Sequence, residues 1–370
     1  MRDTTIQSLL SERCQGVGGR IQYPASSIGR VGGRGTLRLM SDHDLPVVDP
    51  YRAVGRRELL RQWAPPAALG IALAGLGLGF SGRAGRHRPP DSGASRTPPD
   101  WRTTPDAPGR IAAAAGGGPE ANLRLALAAL GGMAAFVKPG ERVAIKPNCA
   151  WDRTPEQAAN TNPELVGELV RLCLAAGAAS VVVVDNSCHD PDRVFERSGI
   201  EAAARKAGAS TAHQRSAATV TLDLGGTVLG PWEVLEPIAA ADRVINVPIV
   251  KHHSLSRATL GMKNWMGAIE GRRANLHQRI AQNCAELGAA FKPTLTVMDA
   301  TRVLTGGGPT GGSLGLVRTD DRIAVATDPV AAEAWGASLL DLGPAELPHI
   351  AIAERLGLGT SDWKSIEVGV

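Results

Sequence analysis

Between Ile245 and Gly271 the chain reads INVPIVKHHSLSRATLGMKNWMGAIEG, and the residues of this stretch that can do chemistry are grouped. Lys251, His252 and His253 follow an apolar run, and Lys263 and Asn264 stand further on, between Gly261 and Gly267. A histidine beside a lysine offers a proton donor and acceptor near neutral pH, or a neutral imidazole for a metal. Adjacent residues do not share one face of a strand or helix, so His253 is the candidate and His252 faces elsewhere. Lysine and asparagine between glycines suit a carboxylate or phosphate, because glycine lets the backbone approach a ligand closely. Trp265 and Met266 in the same segment read as core.

More polar residues follow other apolar runs. Lys146 and Asn148 end RVAIKPN, Asp185 and His189 flank the end of SVVVVDN, and Asp299 closes TLTVMDA. His253, Lys251, Lys263 and Asp185 are the candidate catalytic groups. Lys146, Asn148, Asn264, Gly267 and Asp299 are candidates for binding substrate or cofactor, and His253, Asp185 and His189 for a metal. TGGGPTGG, Thr305–Gly312, is neither a P-loop nor a GxGxxG opening a helix; it reads as a loop able to close over the site.

Strands and helices must alternate to bring these residues together. SVVVVDN is continuously apolar, as a central parallel strand covered on both faces would be. NPELVGELVRLCLAAGA predicts a helix, with Asn162 as cap, Pro163 in the first turn and Glu164 at the positive dipole end. RVFERSGIEAAARKAG predicts the next helix, ATVTLDL, DRVINVPIV and RIAVATD further strands, and PVAAEAWGASLL a helix capped by Asp328. The expected fold is α/β: a mostly parallel, doubly wound sheet with helices on both faces. In such sheets ligands bind beyond the carboxyl ends of the strands, where the candidates fall.

Composition excludes several classes. The overall charge is +4, but residues 1–110 hold 16 Arg, no Lys and nine acids, so the remainder carries −3. A nucleic-acid partner needs a basic face on the folded part, and the body is slightly acidic. None of the five cysteines forms a CxxC pair, so no ferredoxin-type 4Fe-4S motif or zinc ribbon is encoded.

The leader GRRELLRQWAPPAALGIALAGLGLGF resembles a twin-arginine export signal: Arg56-Arg57, apolar residues, Arg61, then a weak apolar run. That run, Ala67 to Phe80, is shorter than the roughly 20 residues a membrane span needs. Gly55 and Leu59 depart from the usual pattern. The resemblance implies the twin-arginine machinery as partner and a periplasmic or membrane-anchored location. Met40 would place the arginine pair at an ordinary distance from a start, so residues 1–39 are expected to lie upstream of the native protein. The remaining expectation is a signal or anchor over 40–82, a disordered linker over 83–118 and one α/β domain over 119–370.

At VAIKPN, INVPIVKHH, TLGMKNWMG and TDPVAAEAWG, over roughly residues 140–345, the chain resembles the bacterial and archaeal family called domain of unknown function 362. Lys251 and His253 meet the family's Lys-x-His, and Glu333 stands where many members have Asp. The appended ferredoxin-like cysteines of some members are absent, so the resemblance implies no iron–sulfur cluster, and the family has no established reaction. A looser likeness, to the nickel-dependent lactate racemases, implies an isomerase using an organonickel cofactor. The expected function is an exported enzyme, an oxidoreductase or isomerase, acting on a small anionic molecule with a metal or metal-bearing cofactor. The alternative is a periplasmic or anchored binding protein using the same residues without chemistry.

Overall fold

The structure is a computed structural model that describes residues 96–370. The start at Met40, the signal-like segment 40–82 and the linker up to residue 95 lie outside the described residues. The first strands are β1 (Ile111–Ala115), β2 (Arg142–Pro147), β3 (Ser180–Asp185) and β4 (Ser210–His213). Next come β5 (Thr219–Asp223), β6 (Pro231–Leu235), β7 (Arg243–Val247) and β8 (Ile249–His253). The last are β9 (Arg257–Thr259), β10 (Ile269–Glu270), β11 (Leu295–Leu304) and β12 (Val317–Ala326). The helices before β7 are α1 (Gly118–Ala129), α2 (Pro163–Ala175), α3 (Pro191–Arg197), α4 (Ile200–Ala207) and α5 (Glu236–Ala239). Those after it are α6 (Gly261–Asn264), α7 (Ile280–Ala290), α8 (Pro329–Ser338) and α9 (Pro348–Arg355).

A nine-stranded sheet runs β1-β12-β11-β7-β2-β3-β4, with β8 continuing beside β11 and β9 beside β8. Strands β4, β3, β2, β7 and β11 pair parallel in that succession, as does β8 with β11. The sheet is therefore α/β and mostly parallel, as expected, but mixed. Strand β12 is antiparallel to both β11 and β1, and β9 is antiparallel to β8.

Strand alternation builds two cores, one on each side of the sheet. In β3, Val181 and Val183 join one apolar cluster while Val182 and Val184 join the other. Val244 parts from Ile245 and Val247 of β7 in the same way. Helices α1 to α4 supply Leu127, Leu169, Val194 and Ile200 to the first cluster. Met262, Leu287, Trp335 and Ile350, from α6 to α9, close the second. Each fully buried aliphatic side chain contributes about 1.5–3 kcal/mol, so apolar runs of this kind hold the strand ends in place. Trp265 stacks on Phe291 at 4.9 Å and is core, as the sequence predicts.

Four expectations are corrected. The linker over 83–118 ends before Trp101, which is buried with its indole N–H on Ala241 O, and β1 is a paired strand. The helix expected over RVFERSGIEAAARKAG is two, broken where Gly199 adopts positive φ. ATVTLDL joins β6 and β10 in a separate three-stranded antiparallel sheet. DRVINVPIV divides at Pro248 into β7 and β8, because proline has no N–H to continue the ladder.

The predicted caps form. Asn162 Oδ1 accepts from Glu164 N at 2.9 Å, and Asp328 Oδ1 accepts from Val330 N and Ala331 N at 2.8 Å each. Asp328 Oδ2 also takes Thr360 N at 3.0 Å, tying the C-terminal segment to the start of α8.

Candidate functional site

Beyond the carboxyl ends of β2 and β3 lies a cavity of about 740 Å³. Lys146, Asn148, Asp185, Lys251, His253, Lys263, Asn264 and Gly267, all sequence candidates, line it. Residues from four separate stretches of the chain thus meet at one place.

Its floor is a continuous side-chain network. Lys146 Nζ donates to Asp185 Oδ1 at 2.7 Å, Pro147 O at 2.8 Å and Asn264 Oδ1 at 3.3 Å. Asn264 Oδ1 also accepts from Asn148 Nδ2 at 3.0 Å, and Asn148 Oδ1 accepts from Lys251 Nζ at 2.9 Å. Asn264 Nδ2 donates to Asn246 Oδ1 at 2.8 Å, which anchors the network to β7. Asp185 takes Asn186 N on Oδ1 at 2.9 Å and Cys149 N on Oδ2 at 2.6 Å.

This arrangement corrects two expected roles. Lys146 spends all three N–H donors on the protein, and both Asp185 oxygens are occupied. The pair is a buried brace joining β2 to β3, with Lys146 no longer open to hold a ligand's charge. Burial pulls the Lys146 amine below its ordinary range, and Asp185 opposes that shift. Gly267 belongs to the same brace: a Cβ there would collide with Asp185 Oδ1 and stand 2.6 Å from Lys146 Nζ.

Lys251 and Lys263 are different. Lys251 is buried, and its amine donates to Asn148 Oδ1 and to Ala159 O at 2.5 Å. Burial, joined by the charge of Lys263, lowers its pKa to about 7. Among the described residues Lys263 Nζ finds no oxygen partner and only Met266 Sδ at 3.5 Å, and burial lowers its pKa too. Arg273 adds a third cation to the wall, donating to Asn186 O at 2.9 Å and Met266 O at 3.1 Å. Asp185 is the one carboxylate lining the cavity among the described residues.

The β8–β9 hairpin places its side chains by simple alternation. Lys251 lies opposite Thr259, His252 opposite Ala258 and His253 opposite Arg257. Lys251, His253 and Thr259 line the cavity, whereas His252 Nδ1 accepts from Gly308 N at 3.2 Å on the glycine-rich loop. Ser254 N donates back to Gly308 O at 3.2 Å, and Pro309 and Thr310 of that loop line the cavity.

His253 Nδ1 accepts from Leu255 N at 3.1 Å and Ser256 N at 3.3 Å, so the neutral ring carries its proton on Nε2. Burial, with Lys263 and His277 nearby, lowers its pKa to about 3. The ring is thus a neutral hydrogen-bond donor. Accepting a proton or ligating a metal through Nε2 would require driving that proton onto a nitrogen already occupied by two N–H groups.

The proposed metal ligands do not gather. His189 is exposed, edge-on to Trp151, and Asp185 is saturated by donors. Among the described residues no group of three or more His, Cys, Asp or Glu is placed to hold a metal ion. Asp299 also leaves the candidate set. Strand β11 runs past it to Leu304, and its carboxylate faces Asn162 N at 2.7 Å and Thr301 Oγ1 at 2.7 Å. It braces the start of α2.

Thr259, Arg273, His277 and Asn246 belong to the site or its support and are not among the sequence candidates. Asn246 had a signal, an asparagine inside the apolar run INVP. His277 stands alone in sequence; its ring centroid lies 6.1 Å from that of His253, on a segment that Arg273 ties to Asn186 O.

Fold and site together define an α/β protein with a strand-end cavity rich in lysine. The chain belongs to the family described as Domain of unknown function (DUF362), which matches residues 143–338. It is 29% identical over 246 residues to a thylakoid-associated protein of Synechocystis sp., covering 64% of this chain and 75% of that protein.

Proposed function

We propose that the chain binds a small molecule bearing a carboxylate or phosphate in this cavity and acts on it chemically. One observation carries the reading: Lys251, a buried amine, and Lys263, a half-buried one, have no carboxylate partner among the described residues. Buried charges are expensive unless paired, and a ligand anion supplies the missing partner. A lysine held near neutrality beside a second cation is poised for proton transfer or nucleophilic attack, which favours an enzyme over a non-catalytic binding protein.

The titration of Lys251 gives a signed expectation. An anion draws on the protonated amine, so affinity is full below about pH 7 and declines above it by up to tenfold per pH unit. The ligand-free protein responds the other way. Its folded pKa lies below the unfolded value of about 10.4, so between them the unfolded chain holds more protons and stability rises with pH. Calorimetric titration with phosphate, acetate and 2-hydroxyglutarate across this range tests the first, and chemical denaturation of the ligand-free protein tests the second. No binding heat from any of the three on the acid side would sink the reading.

We also propose export by the twin-arginine route and a final position at or beyond a membrane. The arginine pair and the short apolar run support it, and so does the relative described as thylakoid-associated. Among the described residues no helix is long and apolar enough to cross a membrane. Replacing Arg56-Arg57 with two lysines is expected to leave the protein in the cytoplasmic fraction. Unchanged fractionation of that variant would contradict this route.

A further inference from the structure

Three cavity groups still have unused bonding capacity. Lys251 Nζ makes two hydrogen bonds, leaving one tetrahedral position on the nitrogen. Thr259 is buried in the cavity wall, and its Oγ1 has no hydrogen-bond partner among the described residues. Thr259 stands directly opposite Lys251 in the antiparallel register, which sets Cβ atoms about 4.5–5.5 Å apart on one face. Lys263 has no oxygen partner among the described residues. An orphaned hydroxyl costs stability where it stands, so its presence beside an amine points to a ligand oxygen that completes it.

We propose that Lys251 is the nucleophile of an imine-forming site for 2-oxo acids, with Thr259 receiving the carbonyl oxygen and Lys263 the substrate carboxylate. This rests on the anion-binding reading above and names its substrate class. A neutral amine keeps two N–H groups, matching the acceptors Asn148 Oδ1 and Ala159 O, and turns its lone pair into the remaining position. That pair attacks the carbonyl carbon and forms the C–N bond. The C=O π electrons move to oxygen, which takes a proton as the nitrogen loses one, giving a carbinolamine. A further proton from solvent lets the oxygen leave as water while the nitrogen pair closes the C=N bond. Amine, ketone and one proton become a protonated imine and water, with no change of oxidation state. Thr259 O–H can donate to the oxygen throughout, and the α-carboxylate of a 2-oxo acid lies one bond from the carbonyl carbon, in reach of the second cation.

The test uses the full chain with pyruvate and 2-oxoglutarate as probes. Each is incubated with protein and sodium borohydride, and the product is read by intact mass and peptide mapping. Binding of 2-hydroxyglutarate, which lacks the carbonyl, is measured in parallel by calorimetry. The expected result is one reduced adduct per chain on the peptide holding Lys251, absent in Lys251→Arg, which keeps the charge. Thr259→Val is expected to slow its formation about tenfold, the loss of one hydrogen bond to the reacting oxygen. Mapping on the wild-type chain locates the adduct even if the variants fail to fold. If 2-hydroxyglutarate binds while neither probe leaves an adduct, or the adduct sits on another lysine, the imine proposal is overturned and the anion reading stands. No binding and no adduct overturns both.

Discussion

Asp185→Asn is expected to cost about 3–5 kcal/mol of stability, the loss found when one partner of a buried ion pair is removed. The reason is what remains behind. Lys146 stays buried with its carboxylate gone, and Cys149 N loses a charged acceptor at the end of β2. Against a total of about 5–15 kcal/mol for a typical domain, that is a large fraction. The deficit also has a direction in pH. Burial already lowers the folded pKa of Lys146, and without Asp185 the main opposing charge is gone. Above that lowered value the folded variant sheds its proton while the unfolded chain keeps it up to about pH 10.4, so stability recovers as pH rises. Replacing both partners together, Lys146→Met with Asp185→Leu, should cost less than Asp185→Asn alone. Chemical denaturation at neutral and alkaline pH reads all of this. An Asp185→Asn midpoint equal to wild type would show that the pair is not the brace.

Lys263→Met is expected to show the opposite division between stability and binding. The amine has no oxygen partner to lose, and its desolvation is a standing cost, so the variant should melt at or above the wild-type temperature. Its affinity for 2-hydroxyglutarate should fall about 10- to 100-fold, the worth of one charge-assisted hydrogen bond of roughly 1.5–3 kcal/mol. Calorimetry and a melting curve on the same sample make the comparison. Lower stability with unchanged affinity would mean that Lys263 serves the fold.

How much of this was legible in the sequence depends on how local the cause is. The period of two along β8 separates His253 from His252 without any knowledge of the partner strand. Capping chemistry at Asn162 and Asp328 is written within four residues. Strand length is harder to read. A strand end placed at Ala300 puts Asp299 at the cavity, but β11 continues to Leu304 through an irregular register after Ala300. Asp299 then faces the start of α2. Ile111–Ala115 is mostly alanine, without the β-branched signature, and becomes a strand because β12 offers it a free edge. Arg273 is held at the cavity by hydrogen bonds to Asn186 and Ser187, some 90 residues away in the chain, and no periodicity encodes such a contact.

The double tie between Gly308 and the His252–Ser254 backbone has a mechanical consequence. Gly308 both donates to the His252 ring and accepts from Ser254 N, and a side chain there would strike His252 O. The glycine-rich loop is thus fastened to the strand that carries Lys251 and His253. Swinging that loop outward pulls on the back of the hairpin, while Lys251 and Thr259 sit on its front. Any displacement of that loop must therefore break both ties or be felt at the hairpin whose front lines the cavity.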